Sequence, residues 1–329
     1  MPFDAFVTPP QKRDQRQGIN DMNKLLIGTV AAAAAVTALV VGTGQASSEV
    51  ANEATATPAG KGHGHYADVN GLRMYYEVHG PSNGRDNGQP PLVLLHGALS
   101  ATGTSFGEVL PKLAKTRRVI SVEQQAHGHT ADIDRPLRIA TMAEDTAALL
   151  RKIGVGKADI FGYSMGAGIA LDLGIKHPDL VRKLVLAAVS FNKNGLHPGV
   201  LDGIDQLKPE HLYGSPFHEE YLKIAPRPQD FDRFVEKVKD LNKNIPDLPA
   251  SAVASVKAPV LTIAGDSDIV RPEHAVELFR LFGGGVPGDN VGLPNSQLAI
   301  LPGTTHVTLV QRADLLLPIV PAFLDAPVK

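Results

Sequence analysis

Residues 158–176 read Ala-Asp-Ile-Phe-Gly-Tyr-Ser-Met-Gly-Ala-Gly-Ile-Ala-Leu-Asp-Leu-Gly-Ile-Lys. The apolar run 158–162 has the form of a short buried strand. From Met165 onward the spacing is helical, and His177-Pro178 closes the helix. Between the two lies Gly162-Tyr163-Ser164-Met165-Gly166, a G-x-S-x-G pattern at a strand-to-helix turn. A serine hydroxyl is a poor nucleophile until a base takes its proton. A tight turn of this kind holds Oγ clear of the sheet, where a base can reach it. The flanking glycines allow the strained turn to pack closely against its neighbours. The five-residue pattern also recurs by chance as a glycine-rich turn, so its meaning depends on what surrounds it.

On both sides the chain alternates strand and helix. Residues 66–69 and 72–78 form two short strands around Asn70-Gly71, the signature of a tight hairpin. Residues 92–95 and 119–122 are continuous apolar runs, as expected of strands buried on both faces. A helix is expected over 142–153, and a strand over 183–189. Beyond Pro259 the order resumes with a strand at 260–265, a helix at 272–282 opened by Pro272, a strand at 297–301 and a closing helix over 312–324. Alternation with continuous apolar strands indicates an α/β chain whose sheet is mostly parallel, with helices on both faces. The intervening stretch, 191–258, is rich in Pro, His and charge. Helical spacing at Phe231, Phe234, Val235, Val238 and Leu241 marks it as an inserted helical cap of the kind that shapes a substrate pocket.

Two further groups leave strand ends. The strand at 260–265 runs into Asp266-Ser267-Asp268, and that at 297–301 runs into Pro302-Gly303-Thr304-Thr305-His306. An order of serine, acid and histidine along the chain suits a nucleophile, an orienting carboxylate and a general base. The spacing alone leaves Asp266 and Asp268 both open as the acid.

With these motifs in place, the chain from Tyr66 to Leu324 resembles the α/β-hydrolase fold superfamily. The resemblance implies an α/β-hydrolase fold with a mostly parallel eight-stranded sheet, a core over 65–190 and 259–329, and a cap over 191–258. It implies a triad of Ser164, Asp268 and His306, because the family acid usually ends a G-x-x-D motif, here Gly265 to Asp268. Asp266 is then a turn carboxylate. His96-Gly97-Ala98-Leu99 is similar to the family's H-G-x motif, and an oxyanion hole needs two backbone N–H groups. These would come from Met165 and Ala98, with Leu99 as the nearby alternative. Residues 123–130 resemble the family's D-x-x-G-x-G-x-S turn but carry Glu123 for the Asp and Ala126 for the first Gly. His127 and His129 there read as loop structure rather than metal ligands.

Upstream, Lys24 followed by the uncharged stretch 25–41 and small residues up to Ala46 reads as a secretory signal with a cut after Ala46. The protein is therefore expected to be exported, periplasmic or extracellular, or else anchored in a membrane through 25–41. Met22 is an alternative start to Met1. Residues 1–46 form the N-terminal extension, and the small, polar stretch 47–64 reads as a flexible linker; His63 in it and the adjoining His65 read as linker residues rather than ligands. Over 329 residues, 32 Lys and Arg balance 34 Asp and Glu for a net charge of −2, which argues against a nucleic-acid partner. The composition, 43% hydrophobic and 20% charged, is that of a chain able to build a core. The absence of cysteine excludes disulfides, thiolate metal sites and cysteine nucleophiles. No cofactor and no metal are expected, and the oligomeric state leaves no mark.

The activity expected is hydrolysis of a small-molecule carboxylic ester through an acyl-serine. A serine at the nucleophile position disfavours the dehalogenase and epoxide-hydrolase branches of the resembled family, which carry Asp there. Lactone hydrolysis, cofactor-free haloperoxidase or perhydrolase chemistry and carbon–carbon bond hydrolysis share the triad plan and stay open. A silent binding protein on the same fold is the remaining alternative.

Overall fold

The computed structural model describes residues 63–81 and 88–328. The apolar run 25–41, the cut after Ala46 and most of the stretch 47–64 lie outside the described residues. Among the described residues no helix is long and apolar enough to cross a membrane.

Eight strands form one sheet: β1 (His63–Val69), β2 (Leu72–His79), β3 (Leu92–Leu95), β4 (Val119–Glu123), β5 (Ala158–Tyr163), β6 (Val181–Ala187), β7 (Val260–Ser267) and β8 (Ser296–Thr305). Their spatial order is β1-β2-β4-β3-β5-β6-β7-β8. The pairings β1–β2 and β2–β4 are antiparallel, and all others are parallel. The expected eight-stranded, mostly parallel α/β-hydrolase fold is therefore observed. Asn70 and Gly71 both take positive φ, 49° and 79°, the backbone that lets a two-residue turn follow the twist of its strands.

All four residues of β3 are fully buried, and successive side chains enter opposite layers. Val93 and Leu95 join one hydrophobic cluster, Leu92 and Leu94 the other. The longer helices are α1 (Ile139–Lys152), α2 (Met165–Lys176), α3 (Pro216–Ile224), α4 (Phe231–Lys243) and α5 (Pro272–Leu281). Helices α3 and α4 belong to the stretch between β6 and β7. The buried face of α4 is Phe231, Phe234, Val235, Val238 and Leu241, the residues whose spacing had marked it as helical.

Several boundaries differ from the sequence reading; among them, β8 runs on to Thr305, past the expected end at 301, and the helix expected over 142–153 begins at Ile139. β1 begins at His63, so the segment 63–65 read as linker is strand; His65 pairs with Tyr76 and stacks on its ring at 5.3 Å. β6 starts at Val181 and ends at Ala187, shifted toward the preceding helix. The expected closing helix is two short pieces, Ala313–Leu316 and Val320–Asp325. Pro318 and Pro321 supply no N–H to a continuing helix, and Pro321 instead falls in the first turn of the second piece.

An ionic cluster ties this C-terminal piece to the sheet. Lys183, almost fully buried, donates to the carbonyls of Phe323 at 2.7 Å, Leu324 at 3.2 Å and Ala326. Arg182 grips Asp159 through two bonds of 2.7 and 2.6 Å. Arg117 reaches Asp325 and lies 3.7 Å from Asp159. A buried charge without partners would cost several kcal/mol, on the order of the stability of a whole domain.

Candidate active site

Ser164 follows β5 directly, Asp268 follows β7 and His306 follows β8. All three strands are mutually parallel in the sheet, so the three residues emerge along one edge, the carboxyl ends where open α/β sheets bind ligands. Ser164 has φ 54° and ψ −117°, a backbone rarely adopted by residues other than glycine. The close turn has no room for a Cβ at Gly166, which would collide with the Leu95 carbonyl, or at Gly162, which would collide with Gly166 O. Helix α2 starts at the next residue, with the Ala167 and Gly168 N–H groups donating to Ser164 O at 2.9 and 3.0 Å.

Ser164 Oγ lies 2.9 Å from His306 Nε2, and His306 Nδ1 lies 2.7 Å from Asp268 Oδ1. A carboxylate can only accept from Nδ1–H, so in the neutral ring the Nε2 lone pair faces the serine hydroxyl. Asp268 is buried at one end of this row, while His306 keeps 18% of its side-chain surface exposed. Burial alone would raise the Asp268 pKa. The facing His306 charge, its hydrogen bond and the N–H of Val270 at 3.1 Å outweigh that, so the carboxyl is held below its ordinary value and ionised. Asp266, by contrast, is exposed and accepts from Gly303 N at 2.9 Å and Thr304 N at 3.2 Å. These bonds, that from Gly303 foremost, lower its pKa. The structure thus brings Asp268 to His306 and leaves Asp266 within β7, where a turn was expected, bonded to the backbone of β8.

Ala98 and Met165 line the same cavity as Ser164 and His306. Met165 opens α2, where first-turn N–H groups lack helical acceptors. Leu99, with φ 60°, lines a separate small cleft beside Phe217 and Tyr221. Beneath this loop His96 is fully buried; Nδ1 lies 2.8 Å from Gly97 O, and Nε2 accepts from Gln124 N at 3.1 Å. Burial lowers its pKa, in keeping with a neutral ring. His127 is likewise buried, with Nδ1 2.8 Å from Gln125 O and its ring edge-on to Phe234 of α4 at 4.7 Å. Burial lowers its pKa as well, and His96 adds to the effect.

A family model described as alpha/beta hydrolase fold matches residues 90–313. The chain belongs to that family. Among curated proteins, this alpha/beta hydrolase is 29% identical over 217 residues to 2-hydroxymuconate semialdehyde hydrolase of Pseudomonas sp. (strain CF600), covering 55% of this chain and 71% of that protein. It is 25% identical over 270 residues to the uncharacterized hydrolase YugF of Bacillus subtilis (strain 168), covering 75% and 93%. Among solved structures, MGS-M2, an alpha/beta hydrolase enzyme from a Medee basin deep-sea metagenome library, superposes with a TM-score of 0.63 at 19% identity, covering 80% of this chain and 98% of that one. This last likeness speaks to the fold.

Three residues of the site escaped the sequence reading. Tyr163, the first variable position of G-x-S-x-G, is buried and donates its OH to His306 O at 2.7 Å. Glu220 of α3 accepts from Ala101 N at 3.2 Å, Thr104 N at 3.0 Å and Thr104 Oγ1 at 2.5 Å, fastening the inserted stretch to the segment that follows Ala98 and Leu99. Asp172 lines the cavity from α2. Only Asp172 carried a usable signal, since eight residues beyond Ser164 is little more than two helical turns on the same face.

Proposed function

We propose that the chain hydrolyses carboxylic esters through an acyl-serine at Ser164. The observation that carries this reading is the hydrogen-bonded row Ser164, His306, Asp268, whose serine end opens into an apolar cavity. In this reading Ser164 Oγ attacks the acyl carbon while His306 Nε2 takes the hydroxyl proton. The charge gathering on the carbonyl oxygen is met by the N–H groups of Met165 and Ala98. The tetrahedral intermediate expels the alkoxide, which leaves as alcohol with the proton from His306. Water then repeats the sequence: it loses a proton to His306, attacks the acyl carbon and releases the carboxylic acid and free Ser164. Asp268 holds the ring tautomer and stabilises the imidazolium without taking the proton.

The likeness to 2-hydroxymuconate semialdehyde hydrolase favours a second reading, carbon–carbon bond hydrolysis on the same three residues. The ester reading is preferred because, among the described residues, no lysine or arginine lines the cavity to meet an anionic substrate.

The test is hydrolysis of p-nitrophenyl esters from acetate to palmitate, with Ser164→Ala as control. Turnover that Ser164→Ala lowers by about 10³-fold or more is expected from the loss of the nucleophile. Absence of ester turnover in folded protein, with cleavage of a dienoate substrate instead, would replace the first reading by the second.

A further inference from the structure

Helix α2 carries Ser164 at its N-cap and then Gly168, Leu171 and Asp172 along one face, and that face is a wall of the cavity. Opposite it stand aliphatic groups of the stretch between β6 and β7, among them Leu241, Ile245 and Leu248. The polar residues on the wall are few, and most are engaged. Ser190 Oγ donates to Asn192 O, and Asn242 Nδ2 donates to Val238 O at 2.9 Å. Asp172 is different. It is a carboxylate with 6% of its side chain exposed, and its counter-ion Lys176 Nζ, 2.9 Å from Oδ2, belongs to a side chain that is 43% exposed. The anion therefore faces an apolar cavity while the cation stands largely in water, where its field is screened. At 1.5 Å per residue Asp172 lies about 12 Å along the axis from Ser164, and an acyl chain on the serine extends along this face toward it.

We propose that Asp172 is a charge filter on the acyl side of the site: the cavity accepts neutral, aliphatic acyl groups and rejects those ending in a carboxylate. A terminal carboxylate would lose its hydration in the cavity, find no lysine or arginine among the described lining residues, and meet a like charge. The proposal names the substrate class of the ester site and in its first arm rests on the ester reading.

The experiment compares kcat/KM for p-nitrophenyl hexanoate with that for the mono-p-nitrophenyl ester of adipic acid, which has the same carbon count and one added terminal carboxylate. Wild-type protein is expected to favour the hexanoate by about 100-fold. Asp172→Asn should narrow it about tenfold, while Lys176→Gln, which strips the carboxylate of its counter-ion, should widen it. A structural effect of either substitution would move both esters together and leave the ratio alone. A second arm needs no turnover: hexanamide should raise Tm more than the monoamide of adipic acid does, and Asp172→Asn should close the gap. If no ester is cleaved but the Tm difference is present, the ester reading fails and the filter stands. Equal handling of the neutral and anionic ligands by wild type, or a ratio untouched in both variants, would overturn the filter.

Discussion

Ser164 is held in a conformation that costs on the order of 1–3 kcal/mol for a residue with a Cβ, and it stays there because β5 and α2 are fixed independently on either side. Its neighbour Tyr163 spends a buried hydroxyl on the main-chain oxygen of His306, so His306 is tethered at its backbone as well as at its ring. Burial pushes the Tyr163 phenol far up, which keeps it a neutral donor. The two acids at the end of β7 make separable claims. Asp268→Ala should lower kcat by about 10³-fold or more, because the imidazole loses both its tautomer lock and its counter-charge. Asp266→Ala, which loses only loop N–H contacts, should leave kcat within about threefold. Steady-state kinetics on one preferred ester, alongside circular dichroism to check folding, separate them, and the reverse order would reassign the acid. Ser164 and His306 were legible in the sequence because each lies a few residues beyond a strand with a readable apolar pattern, whereas the choice of Asp268 over Asp266 came from the G-x-x-D pattern of the resembled family. Tyr163 was not, because its partner is a backbone atom 143 positions away, and no side-chain pattern records such a bond.

At the scale of elements, Glu123, which departs from the family turn over 123–130, is held by the loop that follows it. Glu123 is buried and accepts from His129 N at 2.6 Å and His129 Nδ1 at 2.9 Å, while the Gly128 backbone, at φ 55°, leaves no room for a Cβ beside that carboxylate. Thr130 closes the turn by donating to Glu123 O at 2.8 Å. The hydrogen bond to Glu123 raises the His129 pKa above 6.5 against an opposing effect of burial. The protonated ring is thus the form that folding favours. Its stabilisation is complete below the unfolded value of about 6.5 and is lost as pH rises through the higher folded value. His129→Gln should therefore lower Tm at about pH 6 and bring it close to wild type at about pH 9. Thermal melts across that range would refute the linkage if the two proteins kept a constant offset. The sequence displayed Glu123 in this turn but not its fit to His129 and Gly128, which depends on three-dimensional closure of the loop. At the C-terminal helix the apolar spacing was read as continuous although Pro318 and Pro321 were in view; the missing N–H groups decided the break.

Across the whole molecule, the parallel order from β4 through β8 collects the ends of non-consecutive strands on one edge, and the stretch between β6 and β7 supplies the opposite wall of the cavity. The sheet's layering was readable in advance because the central strands are short and apolar throughout. The cavity's composition was not, since Leu241, Ile245 and Leu248 meet α2 only after the intervening stretch has folded. Among the described residues, the same strand order leaves β8 paired along one side only, with β7. Within it, Gln297-Leu298-Ala299-Ile300-Leu301 carries no charge, Ile300 is 40% exposed, and the next residue is Pro302. An uncharged aliphatic edge is a template on which a strand from another molecule can add, with the proline limiting how far such pairing runs. Heat-induced aggregation is therefore expected to begin at β8. Ile300→Lys should delay the onset of light scattering while leaving Tm and ester turnover close to wild type, and unchanged scattering would place the sticky surface elsewhere. Shelf life at high concentration would then be set by this outer strand, independently of how well the reacting residues are held.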